Sequence, residues 1–332
     1  PWLLLGYSLI ASPLAPLLPI FGVLASGMLS LIFFLGVVII CRAFLFSGRT
    51  RWYYTVPVLV PCFLILVLHN ITWVSEKGLH SVGLVQGNID QSIKWDFKER
   101  NRITRKYISM SAELWGLNLV VWPEYALTLY GEEARQVKLN LQERAIESGT
   151  NLLLGAPEIV AYRDEKMAER FRVFNTAQGF GLASGSFAKS HLVPFGDYVP
   201  FQEVLRGLIT FFDLPMSSSS KGSSDQPNIV AKLGDETVQI GIGICYEIAF
   251  GDSMRIRARE ADLLVTITND TWFGASIGPH QHMQIARVRA LENGRWLVRA
   301  ANDGITGIID HNGNVRDELP QFTEGVLKGE FQ

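Results

Sequence analysis

The sequence predicts a layered α/β domain behind an apolar segment that crosses a membrane. Three observations carry that expectation. Residues 1 to 74 contain no Asp, Glu or Lys and three arginines, Arg42, Arg49 and Arg51, so 59 of the 62 charged residues lie in the remaining 258. Within this charge-poor stretch, Ile20 to Cys41 runs for about 22 residues without a charge. From His80 onward, short β-rich runs alternate with amphipathic stretches, as strands and helices do in a layered α/β fold.

The apolar elements come first. At 1.5 Å per residue a helix over Ile20–Cys41 covers about 33 Å, enough for a hydrocarbon core of about 30 Å. Tyr53 to Thr72 predicts a second span: Pro57 and Pro61 interrupt it, but Trp52, Tyr53, Tyr54 and Trp73 stand at its ends, where interfacial aromatics belong. The alternative is a buried helical hairpin in a soluble core. The connection between the spans holds all three arginines, which places it in the cytoplasm and the large domain after Trp73 on the outer side. Residues 1–19, broken by Pro13, Pro16 and Pro19, suit a loop dipping into the membrane from that side. The chain opens on Pro1 without an initiator Met or a basic n-region, so it reads as an internal fragment and not as a signal peptide.

In the larger part, Val82–Gln86, Leu117–Trp122, Leu152–Gly155, Val173–Gly179, Val238–Cys245, Leu263–Thr268 and Trp296–Ala300 read as strands. Phe97, Arg100, Ile103, Tyr107, Met110 and Leu114 follow helical spacing. So do Ala134, Val137, Leu141 and Ile146, and later Ile285, Val288 and Leu291. Gly304–Asp310 followed by His311-Asn312-Gly313-Asn314 reads as a late hairpin. Ser217–Ser224 is a loop, and Phe201–Met216 is either core packing or an apolar flap. No internal repeat is visible in the sequence. The larger part holds 27 basic and 32 acidic groups, a balance that argues against nucleic acid as partner.

Three cysteines, Cys41, Cys62 and Cys245, make no disulfide framework, and the first two sit in apolar runs as small hydrophobes. Cys245 ends the run Ile240-Gly-Ile-Gly-Ile-Cys-Tyr-Glu, where a strand stops at a thiol. It is either an inert buried thiol or a nucleophile, and a nucleophile needs a base and donors for an oxyanion. Glu124, after Leu119-Val-Val-Trp-Pro, is the candidate base, with a helix cap as the alternative. Lys189, in Ser186-Phe-Ala-Lys-Ser-His-Leu-Val-Pro-Phe-Gly, is the candidate cation, with an ordinary surface lysine as the alternative. His280 and His282 have a metal-like spacing, but no Asp, Glu or Cys cluster accompanies them in the sequence. Gly179-x-Gly181 with Gly185 lacks dinucleotide spacing, so no cofactor is implied.

Taken together, Trp-Pro-Glu, Lys-x-His-Leu-Val-Pro-Phe-Gly, Cys-Tyr-Glu and Asn269-Asp-Thr-Trp-Phe-Gly resemble the carbon–nitrogen hydrolase (nitrilase) superfamily over about residues 80 to 330. The resemblance implies a four-layer α-β-β-α sandwich with a Glu-Lys-Cys triad, carried onto Glu124, Lys189 and Cys245. With the charge-poor stretch before it, the chain divides into a membrane segment, 1–74, with about two transmembrane helices, and a nitrilase-like catalytic domain, 75–332. Within the superfamily, Val85-Gln-Gly-Asn with Lys94-Trp95, Phe212-Asp-Leu-Pro-Met-Ser-Ser and Ile277-Gly-Pro-His-Gln-His resemble the apolipoprotein N-acyltransferase family. The likeness extends to Pro1-Trp2 and Gly6-Tyr7-Ser8.

That likeness implies acyl transfer from a membrane phospholipid, through a cysteine thioester, to the α-amine of diacylglyceryl-cysteine on a lipoprotein. The setting it implies is a bacterial inner membrane, with a multi-pass chain and the catalytic domain on the periplasmic side. It also implies that Trp95 helps hold substrate, that Tyr246 and Glu247 support the nucleophile, and that Trp2 is a membrane-facing aromatic. Asp197 stands where the family usually has Glu, one methylene shorter beside Lys189. The rival readings are a membrane-anchored amidase with water as second nucleophile, and a catalytically silent membrane scaffold.

Overall fold

A computed structural model describes residues 1–46, 52–163, 169–198 and 219–332. Arg49, Arg51, residues 201–216 with Phe211 and Phe212, and the first two serines of the 217–224 run lie outside the described residues.

Among the described residues, twelve strands build two six-stranded sheets. In chain order they are β1 His80–Gln86, β2 Leu119–Val121, β3 Asn151–Arg163, β4 Glu169–Gly181, β5 Ser186–Ala188 and β6 Ile229–Leu233, followed by β7 Glu236–Ile244, β8 Leu263–Thr268, β9 Trp296–Ala301, β10 Thr306–Ile309, β11 Val315–Leu319 and β12 Gly325–Phe331. The first sheet runs β12-β1-β2-β3-β4-β5 and the second β6-β7-β8-β9-β10-β11. Read in that direction, both pair antiparallel, parallel, parallel, antiparallel, antiparallel. The fold therefore repeats a sheet topology with no matching repeat in sequence.

Strand alternation makes the layers. Val82, Leu84, Leu119, Val121 and Leu153 of the first sheet meet Ile240, Ile242, Ile244, Val265, Ile267 and Val298 of the second in one buried cluster. The intervening Val85, Val120, Leu152 and Leu154 point outward, against Ile103 and Tyr107 of the helix Arg100–Met110 and Leu141 and Ala145 of the helix Gly131–Glu147. On the far side, Leu264, Leu297 and Ile309 pack on Met254 of Gly251–Ala258 and on Ile285 and Val288 of Gly278–Asn293. The period of two along each strand thus sends alternate residues to the sheet–sheet core and to the helices, giving α-β-β-α.

The apolar segment follows a different rule. The helix Leu18–Phe46 buries Ser26, Gly27, Ser30 and Gly36 while Leu24, Met28, Leu31, Phe34, Leu35 and Val38 are exposed, the inverse of a helix surrounded by water. Ala15–Phe46 is long and apolar enough to cross a membrane. The expected second span is a shorter helix, Val56–Leu68, of 13 residues with Pro61 inside it. The preceding 3-10 turn Trp52–Thr55 runs directly into it, so the apolar helical run is Trp52–Leu68, shorter than Ala15–Phe46.

Within the expected membrane-dipping loop, 1–19, residues 1–18 also pack on the globular part. Short 3-10 turns, Leu5–Ala11 and Ala15–Leu17, bury Tyr7, Leu9, Ile10, Leu14 and Leu17 in the same cluster as Met283, Ile285 and Ala286 of the globular part. The prolines that break a helix here fold the apolar coil onto the domain. The Tyr7 hydroxyl donates to the Ala249 carbonyl at 3.2 Å. The long helix breaks at Gly22 (φ 61°, ψ 178°), and the following amide, Val23 N–H, donates to Glu292 Oε1 at 2.8 Å.

Gly6 sits so close to this break that a Cβ would lie 2.0 Å from the Val23 carbonyl oxygen. Gly6→Ala should destabilise the protein by about 1–3 kcal/mol, as overpacking does. Thermal unfolding in detergent checks this, and an unchanged midpoint contradicts the close packing of coil and helix.

Candidate active site

The ends of the strands bring the candidate residues together, as open α/β sheets commonly do. Glu124 follows β2 through Trp122, whose amide pairs with the Leu153 carbonyl at 2.8 Å, and Pro123, which has no N–H to continue the ladder. The next residue, Tyr125, has φ 51°. Gly155 is required beside this turn, because a Cβ there would stand 2.4 Å from the Pro123 carbonyl oxygen and 2.7 Å from Glu124 Cα. Cys245 has φ 52° at the junction between β7 and the 3-10 turn Cys245–Ala249. Lys189 follows β5, its amide held by the Asn175 carbonyl at 2.8 Å. Asp197 lies in the next turn and accepts the Val193 amide at 2.8 Å.

Glu124, Lys189, Asp197 and Cys245 line one cavity of about 480 Å³, walled by Trp2, Phe195, Tyr246, Trp272 and Phe273. Glu124 Oε1 accepts from Lys189 Nζ at 3.1 Å and from Asn175 Nδ2 at 2.7 Å, and Oε2 accepts the Asn269 amide at 2.9 Å. Lys189 Nζ also pairs with Asp197 Oδ2 at 2.8 Å. Burial disfavours the lysine charge, but Asp197 and Glu124 outweigh it and raise Lys189 well above its ordinary value. Burial pushes the Cys245 thiol up to about 12; Glu124 adds to that rise and Lys189 opposes it. The resting sulfur is therefore a thiol, beside a carboxylate able to take its proton and an ammonium able to balance the charge that forms.

The supporting candidates separate into wall and frame. Tyr246 and Trp2 are wall: their rings are 6.1 Å apart, and Trp2 Nε1 donates to Gln281 Oε1 at 2.9 Å. Trp2 is thus partly buried against the globular part. Trp95 packs edge-on against Tyr125 at 5.0 Å, and its buried Nε1 has no hydrogen-bond partner among the described residues. Glu247 is frame. Its carboxylate accepts the Ile244 amide at 2.9 Å, the Ser190 amide at 2.8 Å and the Ser190 hydroxyl at 2.7 Å, and lies 3.5 Å from Arg257. It therefore ties the strand carrying Cys245 to the residue after Lys189. Burial opposes its charge, but His191, Arg257 and these donors hold it at about 2.

Several contributors had no role assigned from the sequence. Asn175 is an amide within a strand and carries no local signal. Asn269 and Asp270 belong to a quoted motif whose chemistry the sequence leaves open. His282 is committed to Asp270 Oδ1 at 2.8 Å and the Cys245 carbonyl at 3.1 Å, while Arg299 reaches Asp270 Oδ2 at 2.6 Å. Both its ring nitrogens are engaged, and burial followed by Arg299 lowers its basicity. Among the described residues no group of three or more His, Cys, Asp or Glu is arranged to hold a metal ion. Gly181 lies at the end of β4, where a Cβ would meet the Thr150 carbonyl oxygen at 2.3 Å, so its packing explains that glycine.

Glu247→Gln should cost about 3–5 kcal/mol by leaving Arg257 buried without its counter-charge. Because this carboxyl lies below its ordinary 4.5, its contribution is full above pH 4.5 and is lost as pH falls toward about 2. The variant's stability should vary less steeply across that window than the parent's, as thermal unfolding against pH will show.

A carbon–nitrogen hydrolase family model matches residues 81–332. The chain is 39% identical over 331 residues to the apolipoprotein N-acyltransferase of Pseudomonas aeruginosa, covering 99% of this chain and 63% of that protein. It is 37% identical over 346 residues to the apolipoprotein N-acyltransferase of Vibrio vulnificus, covering 100% of this chain and 64% of that protein. The chain thus spans less than two thirds of the length of these curated relatives. Among solved structures, a carbon–nitrogen hydrolase from Helicobacter pylori G27 is similar with a TM-score of 0.56 and 15% identity, over 77% of this chain and 90% of that one, a likeness of fold. With two stacked sheets, strand ends meeting at a cysteine, and a family match from β1 through β12, the chain belongs to the carbon–nitrogen hydrolase family.

Proposed function

We propose that the protein transfers an acyl chain from a membrane phospholipid to the N-terminal α-amine of diacylglyceryl-cysteine in a lipoprotein. Residues 1–74 act as the membrane segment and 75–332 as the catalytic domain, on the periplasmic face of a bacterial inner membrane that the chain crosses more than once. The observation that carries this reading is Trp2: an aromatic from the apolar segment forms a wall of the cavity that holds Cys245, Glu124 and Lys189. A cavity partly walled by that segment suits substrates with long chains, whose exposure to water costs about 0.8 kcal/mol per CH₂.

Glu124 takes the Cys245 proton as sulfur attacks the ester carbonyl. Lys189, with backbone N–H groups near Tyr246, balances the oxyanion of the tetrahedral adduct. As the C–O bond breaks, the proton passes from Glu124 to the leaving oxygen, releasing lysophospholipid and leaving a thioester on Cys245. The acceptor amine then loses a proton to Glu124 and attacks that thioester; sulfur leaves and recovers the proton, and an amide remains. The aromatic wall of Trp2, Tyr246, Trp272 and Phe273 disfavours water as the second nucleophile. Asp197 keeps Lys189 charged throughout, and Tyr246, Glu247 and Trp95 shape and brace the pocket.

Incubating the purified protein with phospholipid in mixed micelles should yield one acyl adduct on Cys245 by intact mass. A diacylglyceryl-cysteine peptide should discharge it. Cys245→Ala should give no adduct, and Glu124→Gln should slow its formation by about 10²–10⁴-fold. An adduct persisting on Cys245→Ala, or hydrolysis of small amides without any lipid adduct, overturns the assignment.

A further inference from the structure

We propose that His282 is a positioning residue of this site, one that pins the peptide joining Cys245 to Tyr246 so that the Tyr246 N–H faces the cavity as an oxyanion donor. His282 stands in the helix Gly278–Asn293 and is fully buried. Its Nε2 lies 3.1 Å from the main-chain carbonyl of Cys245. A carbonyl oxygen only accepts, so Nε2 carries the hydrogen and donates it. Across the ring, Nδ1 lies 2.8 Å from Asp270 Oδ1 and 3.1 Å from Arg299 Nη2. An acceptor and a donor both meet that nitrogen, so it has a partner with or without a proton, and the bond to Cys245 persists in either state.

The imidazole has little freedom of its own. Asp270 is held by Arg299 at 2.6 Å and by the Thr268 hydroxyl at 2.9 Å. The rings of Trp2 and Phe273 stand 5.0 Å and 6.4 Å from the imidazole, so Trp2 separates it from the cavity that Trp2 walls. What this fixed ring holds is a peptide plane. A trans peptide keeps its C=O and N–H on opposite sides of one rigid plane. Cys245 and Tyr246 both line the cavity and His282 does not, so drawing the Cys245 carbonyl outward to His282 turns the Tyr246 N–H inward. That N–H lies at the start of the 3-10 turn Cys245–Ala249, where amides have no partner within the turn. The φ of 52° at Cys245 is costly for a residue with a side chain, and the bond to His282 is one of the contacts that impose it.

The inference rests on the acyl-transfer reading only in taking Cys245 as the nucleophile, and it is tested without phospholipid. Acetylation of Cys245 by p-nitrophenyl acetate passes through a tetrahedral oxyanion, whereas alkylation by iodoacetamide displaces iodide and forms none. Peptide mass reads both adducts. His282→Asn, whose amide reaches Asp270 but falls short of the carbonyl, should slow acetylation about 10²-fold, the scale of one lost oxyanion donor, and leave alkylation close to the parent's. His282→Gln, whose amide nitrogen extends as far as Nε2, should restore most of the acetylation rate. A merely structural histidine would slow both reactions together in both variants. Equal loss of the two rates in His282→Asn, or a His282→Gln variant that acetylates no faster than His282→Asn, overturns the proposal. If neither variant folds, NMR of the parent with labelled histidine rings and cysteine carbonyls decides: a coupling from Nε2 to the Cys245 carbonyl supports the proposal, and an Nε2 without hydrogen overturns it. If the variants behave as expected while phospholipid leaves no adduct, the substrates are discarded and His282 stands. If phospholipid acylates Cys245 in His282→Asn as fast as in the parent, acyl transfer stands and the role of His282 falls.

Discussion

Everything in this protein is arranged around one buried ammonium shared by two buried carboxylates, Lys189 between Glu124 and Asp197. None of the three belongs in an interior alone, because a single unpaired charge there is expensive and would be neutralised instead. Each arrives from a different point of the first sheet: Glu124 from the end of β2, Lys189 from the end of β5, Asp197 from the turn beyond. The second sheet brings Cys245 and the Asn269 amide to the same place. The chemistry therefore exists only once the two sheets have stacked, and the apolar core between them is what sets the distances.

Around that cluster the frame consists of buried polar groups that face away from the cavity. Glu247 joins the two sheets by accepting from Ile244 and Ser190 together, and His282 holds the carbonyl of a cysteine whose φ lies in the left-handed region. A non-glycine residue is rarely found there without a surrounding structure that imposes it. The hydrogen bonds around Cys245 and the close approach of Gly155 to Glu124 are such impositions.

Much of this was legible in the sequence, for reasons that differ by element. Leu263–Thr268 is legible with the boundaries it has, because its apolar and β-branched residues are continuous and polar turn residues flank it. β3 and β4 run to Arg163 and from Glu169, well beyond the expected strands, because their outer halves pair with each other and not with a core that would leave an apolar signature. β5, β6, β11 and β12 are edge strands or short, and polar residues dilute their alternation. Cys245, Glu124 and Lys189, which line one cavity, are flagged in the sequence by strand ends and quoted motifs. Asn175 is not flagged, because its meaning depends on which groups face it across the fold. In the apolar segment, composition gave the first long helix but not the fate of residues 1–18, since lipid and a protein core favour the same side chains.

The break at Gly22 has a mechanical consequence. A helix that spans bilayers of different thickness must change its tilt to keep its apolar length matched. Here the residues before the break are clamped to the globular part through Tyr7, and the break itself is anchored through Val23 and Glu292. With both flanks of Gly22 tied to the globular part, the direction in which the apolar helix departs is set by the protein itself, and the indole at position 2 keeps its seat whatever surrounds that helix.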